Sequence, residues 1–395
     1  MRDPVYLDYN ATTPLDGRVL EAMLPYLKEH FGNPSSATHA YGWSAEAAVE
    51  AAREELAAAI GASPEEIFFT SGATEADNWA LFGTLEPGDR LVTSPTEHEA
   101  ILESARALAR RGVEVVLLPV DRHGVVSPDA LREALGEGAA LVSIMLANNE
   151  TGTVNPVREL AEVSHEHMVP FHTDAAQALG KLPLDVGALG VDMMSLSAHK
   201  CCGPKGVGAL YIRRRPRRVR PAPLLYGGGQ ERGLRSGTLN VPGIAGFGRA
   251  ATLAAESLPG EAGRMRDLRD LLWRELSGRV PDVLLNGDPE RRLPNTLNVS
   301  FPGVAASDLL AELTTVAASS GSACASSDPG PSHVLLAMGL GEERARSSIR
   351  LSLGRFTTRE DVLRAAKELA RSVEALRASS RDVPGYGVGS ASAAE

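Results

Sequence analysis

Between residues 43 and 60 the apolar positions Val49, Ala52, Leu56 and Ile60 recur at helical spacing, and Gly61 follows where a left-handed C-terminal cap belongs. This spacing predicts a helix. Residues 66–70 (EIFFT) read as a short buried strand, and Ser71-Gly72-Ala73-Thr74 opens a second helical run to Phe82. The alternation continues with a helical run over 98–111, strands over 113–119 and 141–147, and a helix with Pro156 at its first position after Asn155. Phe171–Asp174 and Met193–Ser197 add two more strands. Short apolar strands alternating with amphipathic helices predict an α/β fold, in which a mainly parallel sheet is sandwiched by helices and the ligand site lies at the carboxyl ends of the strands.

Beyond about residue 257 the texture changes. A long charged helix over 261–276, strands over 296–301 and 349–353, and a helix over 359–376 predict a smaller α+β domain. The expected division is a large domain over 16–257, a small domain built from 1–15 and 258–380 that carries the loop around Cys324, and a Gly/Ser/Ala-rich disordered tail over 381–395.

Composition narrows the field without naming a chemistry. The 395 residues are 43% hydrophobic and 23% charged, and 40 Lys+Arg against 50 Asp+Glu give a net charge of −10, which disfavours general coating of nucleic acid. Three cysteines, two of them adjacent, make neither a disulfide framework nor a zinc-binding pair, and the start shows no leader pattern. No long uninterrupted apolar run occurs, so a soluble cytoplasmic protein is expected.

The chemistry lies in local motifs. Ser197-Ala198-His199-Lys200, followed by Gly203-Pro204-Lys205-Gly206, comes directly after a predicted strand, which puts Lys200 in the cleft. Asp174 ends another strand in His172-Thr173-Asp174-Ala175-Ala176-Gln177. A pyridoxal phosphate site needs that pair: the lysine forms a Schiff base, and the carboxylate keeps the pyridine nitrogen protonated so that the ring accepts electrons. Gln177 would reach the ring's phenolic oxygen. Ala73 and Thr74 open a helix after a strand, so backbone amides and the Thr74 hydroxyl can seat a phosphate, with Ser197 and His199 adding donors. Each feature has an ordinary structural explanation alone, and only the combination is specific.

The combination resembles the cysteine desulfurases, homodimeric pyridoxal phosphate enzymes of the class V aminotransferase superfamily and of fold type I. The similar stretches include YLDYNATTP, FGNPSSATH from Phe31, TSGATEADN from Thr70, TEHEAIL from Thr96, NNETG from Asn148, HTDAAQALGK from His172, SAHK with GPKG, GGGQERGLRSGTLNV from Gly227, SSGSAC from Ser319 and SIRLSLGRFTT from Ser348. They span most of residues 6–358. The resemblance makes Lys200 the Schiff-base lysine, Asp174 the partner of the pyridine nitrogen and Gln177 the phenolate donor. It stacks His98 on the ring, where it also relays protons, and gives the phosphate Thr74, Ser197, His199 and, across the subunit boundary, Thr238. Arg350 would grip the substrate carboxylate with Asn149 assisting, and Asn33 is a further candidate for that pocket. No metal is implied.

Cys324 sits among small polar residues (SSGSACASSD), which read as a mobile loop. The resemblance makes it the nucleophile that takes sulfur from L-cysteine as a persulfide, leaving L-alanine. The sulfur would pass to an iron–sulfur scaffold or a tRNA-thiolation enzyme. An ordinary thiol ionises near about pH 8.5, so a base or cation must assist, and His98 is one candidate. Cys201 and Cys202 read as packing residues. The alternatives are a selenocysteine lyase, another class V aminotransferase or lyase, and a non-catalytic scaffold. The arginine-rich segment over 213–220 (RRRPRRVR) reads as a solvated turn, with docking of a sulfur acceptor as the alternative. His165 and His167 are two apart on a helix and share no face for a metal.

Overall fold

The computed structural model of the chain describes residues 4–215, 219–321 and 330–381. The chain runs through β1 (Val5–Tyr6), α1 (Gly17–Lys28), α2 (Ala40–Ala59), β2 (Ile67–Thr70), α3 (Ala73–Phe82), β3 (Arg90–Thr93), α4 (Glu99–Ala109), β4 (Glu114–Leu117) and α5 (Pro128–Leu135). Next come β5 (Leu141–Ser143), α6 (Val157–Glu166), β6 (Phe171–Asp174), α7 (Val186–Leu189), β7 (Met193–Ser197), β8 (Gly208–Ile212) and α8 (Val241–Arg279). The remainder is β9 (Leu284–Asn286), β10 (Thr296–Ser300), α9 (Ala306–Glu312), β11 (Val316–Ala317), α10 (His333–Ala337), α11 (Glu342–Arg346), β12 (Ser348–Ser352) and α12 (Arg359–Arg381).

Seven strands form the central sheet in the order β2, β8, β7, β6, β5, β3, β4. Pairing is parallel from β7 through to β4, and β8 runs antiparallel to both of its neighbours. Successive strand residues point to opposite faces. Ile67 and Phe69 therefore join the apolar cluster that includes Val49 and Leu56 of α2 and Phe247 of α8, while Phe68 joins the one that includes Trp79 of α3 and Ile101 of α4. Both faces are covered, as the near-continuous apolar strands demand.

The remaining strands form a three-stranded antiparallel sheet (β12, β10, β9) and a two-stranded parallel pair (β1, β11). Val5 and Leu7 share a separate apolar cluster with Leu272, Leu297, Leu351 and Leu369, so the first strand belongs with the C-terminal elements. No helix among the described residues is long and apolar enough to cross a membrane.

Several expectations change. The helix expected over 261–276 is the second half of one helix, Val241–Arg279, with Pro259 inside it. A Leu-Pro-Gly sequence ordinarily breaks a helix, but here packing on both sides of the proline holds the axis. Ala250, Leu253 and Ala254 pack into the large cluster, and Leu268, Leu272 and Leu276 into the smaller one. Pro156 is the N-cap of α6 rather than its first residue. The strand expected over 141–147 ends at Ser143, after which Ala147 bridges Val154. The tail from residue 382 lies outside the described residues.

Candidate active site

The parallel strands deliver their next residues to one edge of the sheet. A cavity of about 520 Å³ opens there, within the range of small-molecule and cofactor sites. Ala73 and Thr74 enter it from the start of α3, Asp174 from the end of β6, and Ser197, His199 and Lys200 from the end of β7. His98, Gln177, Asn149 and Arg350 complete the set of predicted residues that line it.

Lys200 occupies a short 3₁₀ turn, Ala198–Lys200, immediately after β7. Its ammonium donates to the carbonyls of Asn10 (2.5 Å) and Ala11 (2.8 Å). The same N-terminal segment braces this turn, because the Thr13 hydroxyl donates to the His199 carbonyl and accepts from the Cys202 N–H, both at 2.8 Å. Residues 8–13 are thus part of the site.

Asp174 is buried and accepts from the Ala176 N–H at 2.8 Å. Burial pushes its pKa upward, against the opposing effects of His98, the Ala176 N–H and Lys200. A cation placed beside it would favour the carboxylate. His98 is the N-cap of α4, where Nδ1 accepts from the Ala100 N–H at 3.1 Å. That hydrogen bond assigns the proton of the neutral ring to Nε2. Burial lowers the His98 pKa, with Asp174 opposing and Lys200 reinforcing the change.

The start of α3 has the makings of an anion seat. Gly72 caps the helix without a side chain, so the amides of its first turn are free of side-chain capping. Gly208 on β8 lies against this turn. A Cβ there would come within 2.6 Å of Gly72 Cα, so only glycine allows the approach. Burial lowers the His199 pKa to about 4, which leaves the ring neutral, and Nδ1 lies 3.1 Å from the Thr12 hydroxyl.

Arg350 projects from β12 and is 4% exposed. Its guanidinium donates to Asp8 Oδ1 (2.8 Å) and to the Asn149 carbonyl (3.0 Å), and its Nε has no hydrogen-bond partner among the described residues. Two other predicted residues stand apart from the cavity lining. Thr238 is exposed, in a segment held to α3 by the Arg235–Glu75 ion pair (2.8 Å), and Asn33 is exposed with Oδ1 accepting from the Ser35 N–H. Cys324 lies outside the described residues. Cys201 and Cys202 are buried, and burial pushes the Cys201 thiol up to about 12.

Several residues around the site carry no motif signal of their own in the sequence. Asn10 acts through its main-chain carbonyl, which no residue-type signal reports. Asp77 and Glu97 are fully buried beside Asp174, and burial drives both well above the ordinary carboxylate range. Lys181, at the end of the same HTDAAQALGK stretch, donates to Gln177 Oε1 at 2.8 Å. Away from the site, His165 pairs with Asp192 (2.7 Å), His167 meets the Val163 carbonyl (3.0 Å), and Arg213 donates to the carbonyls of Val191 and Val186.

A lysine, a buried carboxylate and an uncapped helix start at the strand ends of a mainly parallel sheet define a class, and residues 5–364 match the aminotransferase class-V family. The chain belongs to that family. Within it, the chain is 53% identical over 381 residues to a cysteine desulfurase IscS of Anaeromyxobacter sp. (strain Fw109-5), covering 95% of this chain and 94% of that one. It therefore belongs to the cysteine desulfurases. The fold is similar to a solved NifS-like protein (TM-score 0.86, 42% identity, 94% of this chain and 99% of the other) and to SspA in complex with cysteine (TM-score 0.79, 38% identity, 89% and 99%).

Proposed function

We propose that the protein converts L-cysteine to L-alanine with pyridoxal phosphate as cofactor, and that Cys324 carries the removed sulfur as a persulfide for iron–sulfur cluster assembly or tRNA thiolation. The observation that carries this reading is the convergence of Lys200, Asp174, Gln177 and the start of α3 on one cavity in a chain of this family. The cavity fits the cofactor by its own chemistry. It offers an amine for an aldehyde, a buried carboxylate for a ring nitrogen, and uncapped amides for a phosphate.

When bound, pyridoxal phosphate supplies an electron sink that weakens the bonds at the amino acid's α-carbon. Lys200 would hold the cofactor covalently, Asp174 its ring nitrogen, and Gln177 its phenolic oxygen. Thr74, Ser197 and His199 would hold the phosphate, joined by Thr238 of a second subunit, which makes the working unit a homodimer. Arg350 takes the substrate carboxylate, with Asn149 beside it. His98 holds a proton at Nε2 and moves it at the substrate face.

At Cys324 the thiolate takes the substrate sulfur. An S–S bond forms as the substrate C–S bond breaks, and the electron pair left on the substrate ends in a C–H bond of alanine. The proposed division places the cofactor in residues 16–257 and the Cys324 segment in the part built from 1–15 and 258–380. The proposed setting is the cytoplasm.

Borohydride reduction of the loaded protein followed by peptide mapping tests the cofactor assignment. The reading predicts a stable adduct on Lys200, absent from Lys200→Ala. An adduct elsewhere, or none, contradicts it.

A further inference from the structure

Lys181 stands apart from the groups so far assigned. It is 6% exposed, and its ammonium donates to Gln177 Oε1 at 2.8 Å. The local chain explains how two residues four apart outside a helix meet: the Lys181 N–H bonds the Ala178 carbonyl, and Gly180 at φ +77 turns the backbone. Gln177 Nε2 in turn donates to the Asn10 carbonyl at 2.9 Å, the same carbonyl that accepts from Lys200 at 2.5 Å. A continuous hydrogen-bonded chain therefore joins Lys181, Gln177, Asn10 and Lys200.

A carboxamide can present either its oxygen or its NH₂ to a site, and the two orientations fit the same space. A protonated amine removes that freedom, because an ammonium only donates and so only the oxygen can face it. With Oε1 on Lys181, the NH₂ faces Asn10, and one proton goes to its carbonyl while the second stays available to the cavity. We propose that Lys181 is a positioning residue that fixes the Gln177 carboxamide with its NH₂ toward the cofactor site, so that Gln177 acts as a donor there. This rests on the reading of Gln177 as donor to the phenolic oxygen.

Burial, reinforced by Lys200, lowers the Lys181 pKa to about 7, so the ammonium imposes the orientation below that pH, and the neutral amine, which keeps N–H groups but gains a lone pair, imposes it less strictly above it. The ionisable groups that act on Lys181 are Lys200, Cys201, Cys202 and Arg350, with Glu261 and Arg355 lining a small adjoining cavity. None of these is an acceptor that replaces Gln177 among its hydrogen bonds.

The test is the pH midpoint of the visible absorbance of the cofactor-loaded protein. A donor on the phenolic oxygen stabilises its anionic form and lets the neighbouring proton leave at lower pH. Losing the donor raises the midpoint. Lys181→Met is expected to raise it by roughly one pH unit, Gln177→Ala by as much or more, and the double variant no further than Gln177→Ala alone. Lys181→Arg, which also donates, is expected to restore the wild-type midpoint. Lys181→Leu serves if Lys181→Met does not fold.

Three results overturn the proposal. A full additional shift from Lys181→Met in the Gln177→Ala background means that Lys181 acts through its charge. An unmoved midpoint in Lys181→Met beside a moved one in Gln177→Ala means that the carboxamide orients itself. An unmoved midpoint in Gln177→Ala refutes the donor role of Gln177, and with it this inference.

Discussion

Arg350 donates to Asp8 Oδ1 at 2.8 Å, joining the last strand of the small sheet to the segment that follows the first strand of the chain. Arg350 also lines the cavity, and its Nε is buried without a hydrogen-bond partner among the described residues. The carboxylate of Asp8 fixes the plane of the group before any substrate arrives, which is the preorganisation that a bidentate anion clamp needs.

Arg350→Lys keeps the charge and loses the planar fork. The expected result is a rise in KM for L-cysteine of roughly tenfold or more, with cofactor content unchanged. Steady-state alanine production and cofactor absorbance check the two halves of that statement.

Much of this site was legible in the sequence because its residues follow strands whose periodicity is plain. Asp174 closes FHTD, Lys200 follows MMSLS, and Thr74 follows IFFT. The roles assigned to these residues come from the family resemblance, and the resemblance itself is borne out by the chain's membership of the cysteine desulfurases. What stayed hidden depends on contacts distant along the chain. Asp8 meets Arg350 and Asn10 meets Lys200 only once the first strand has packed with the C-terminal elements. The helix expected over 261–276 is only the second half of α8, because the local penalty of Pro259 is overridden when both halves are buried against different cores.

Arg53 and Glu231 form a buried ion pair at 2.7 Å, with Glu231 also accepting from the Phe69 N–H at 2.8 Å. The pair ties the segment leading to Thr238 to α2 and β2. Arg53→Met strands a buried carboxylate and is expected to cost about 3–5 kcal/mol, and Arg53→Met with Glu231→Gln is expected to recover part of it. Denaturant unfolding measures both.

His172 is fully buried between Ser143 (2.9 Å) and Ser195 (3.0 Å), and burial lowers its pKa to about 3. In the unfolded chain the ring titrates near about 6.5. Between these values the unfolded chain takes up a proton that the folded chain refuses, so stability falls as pH drops from about 6.5 to about 3, by up to roughly 5 kcal/mol. His172→Gln is expected to flatten that slope, which unfolding free energies measured across this range will reveal.

The buried thiols should be silent. With Cys201 pushed up to about 12 and Cys202 also raised by burial, iodoacetamide at neutral pH is expected to leave both unmodified in the folded protein. Peptide mapping after alkylation, with and without denaturant, reads this out.

The decisive measurement is mass spectrometry of the cofactor-loaded protein after brief exposure to L-cysteine, with alanine quantified in parallel and Cys324→Ala as the comparison. One additional sulfur on the peptide containing Cys324, with alanine formed by the wild type and not by Cys324→Ala, is the predicted result. Alanine formed at the wild-type rate by Cys324→Ala, or sulfur mapped to Cys201 or Cys202 instead, would contradict it.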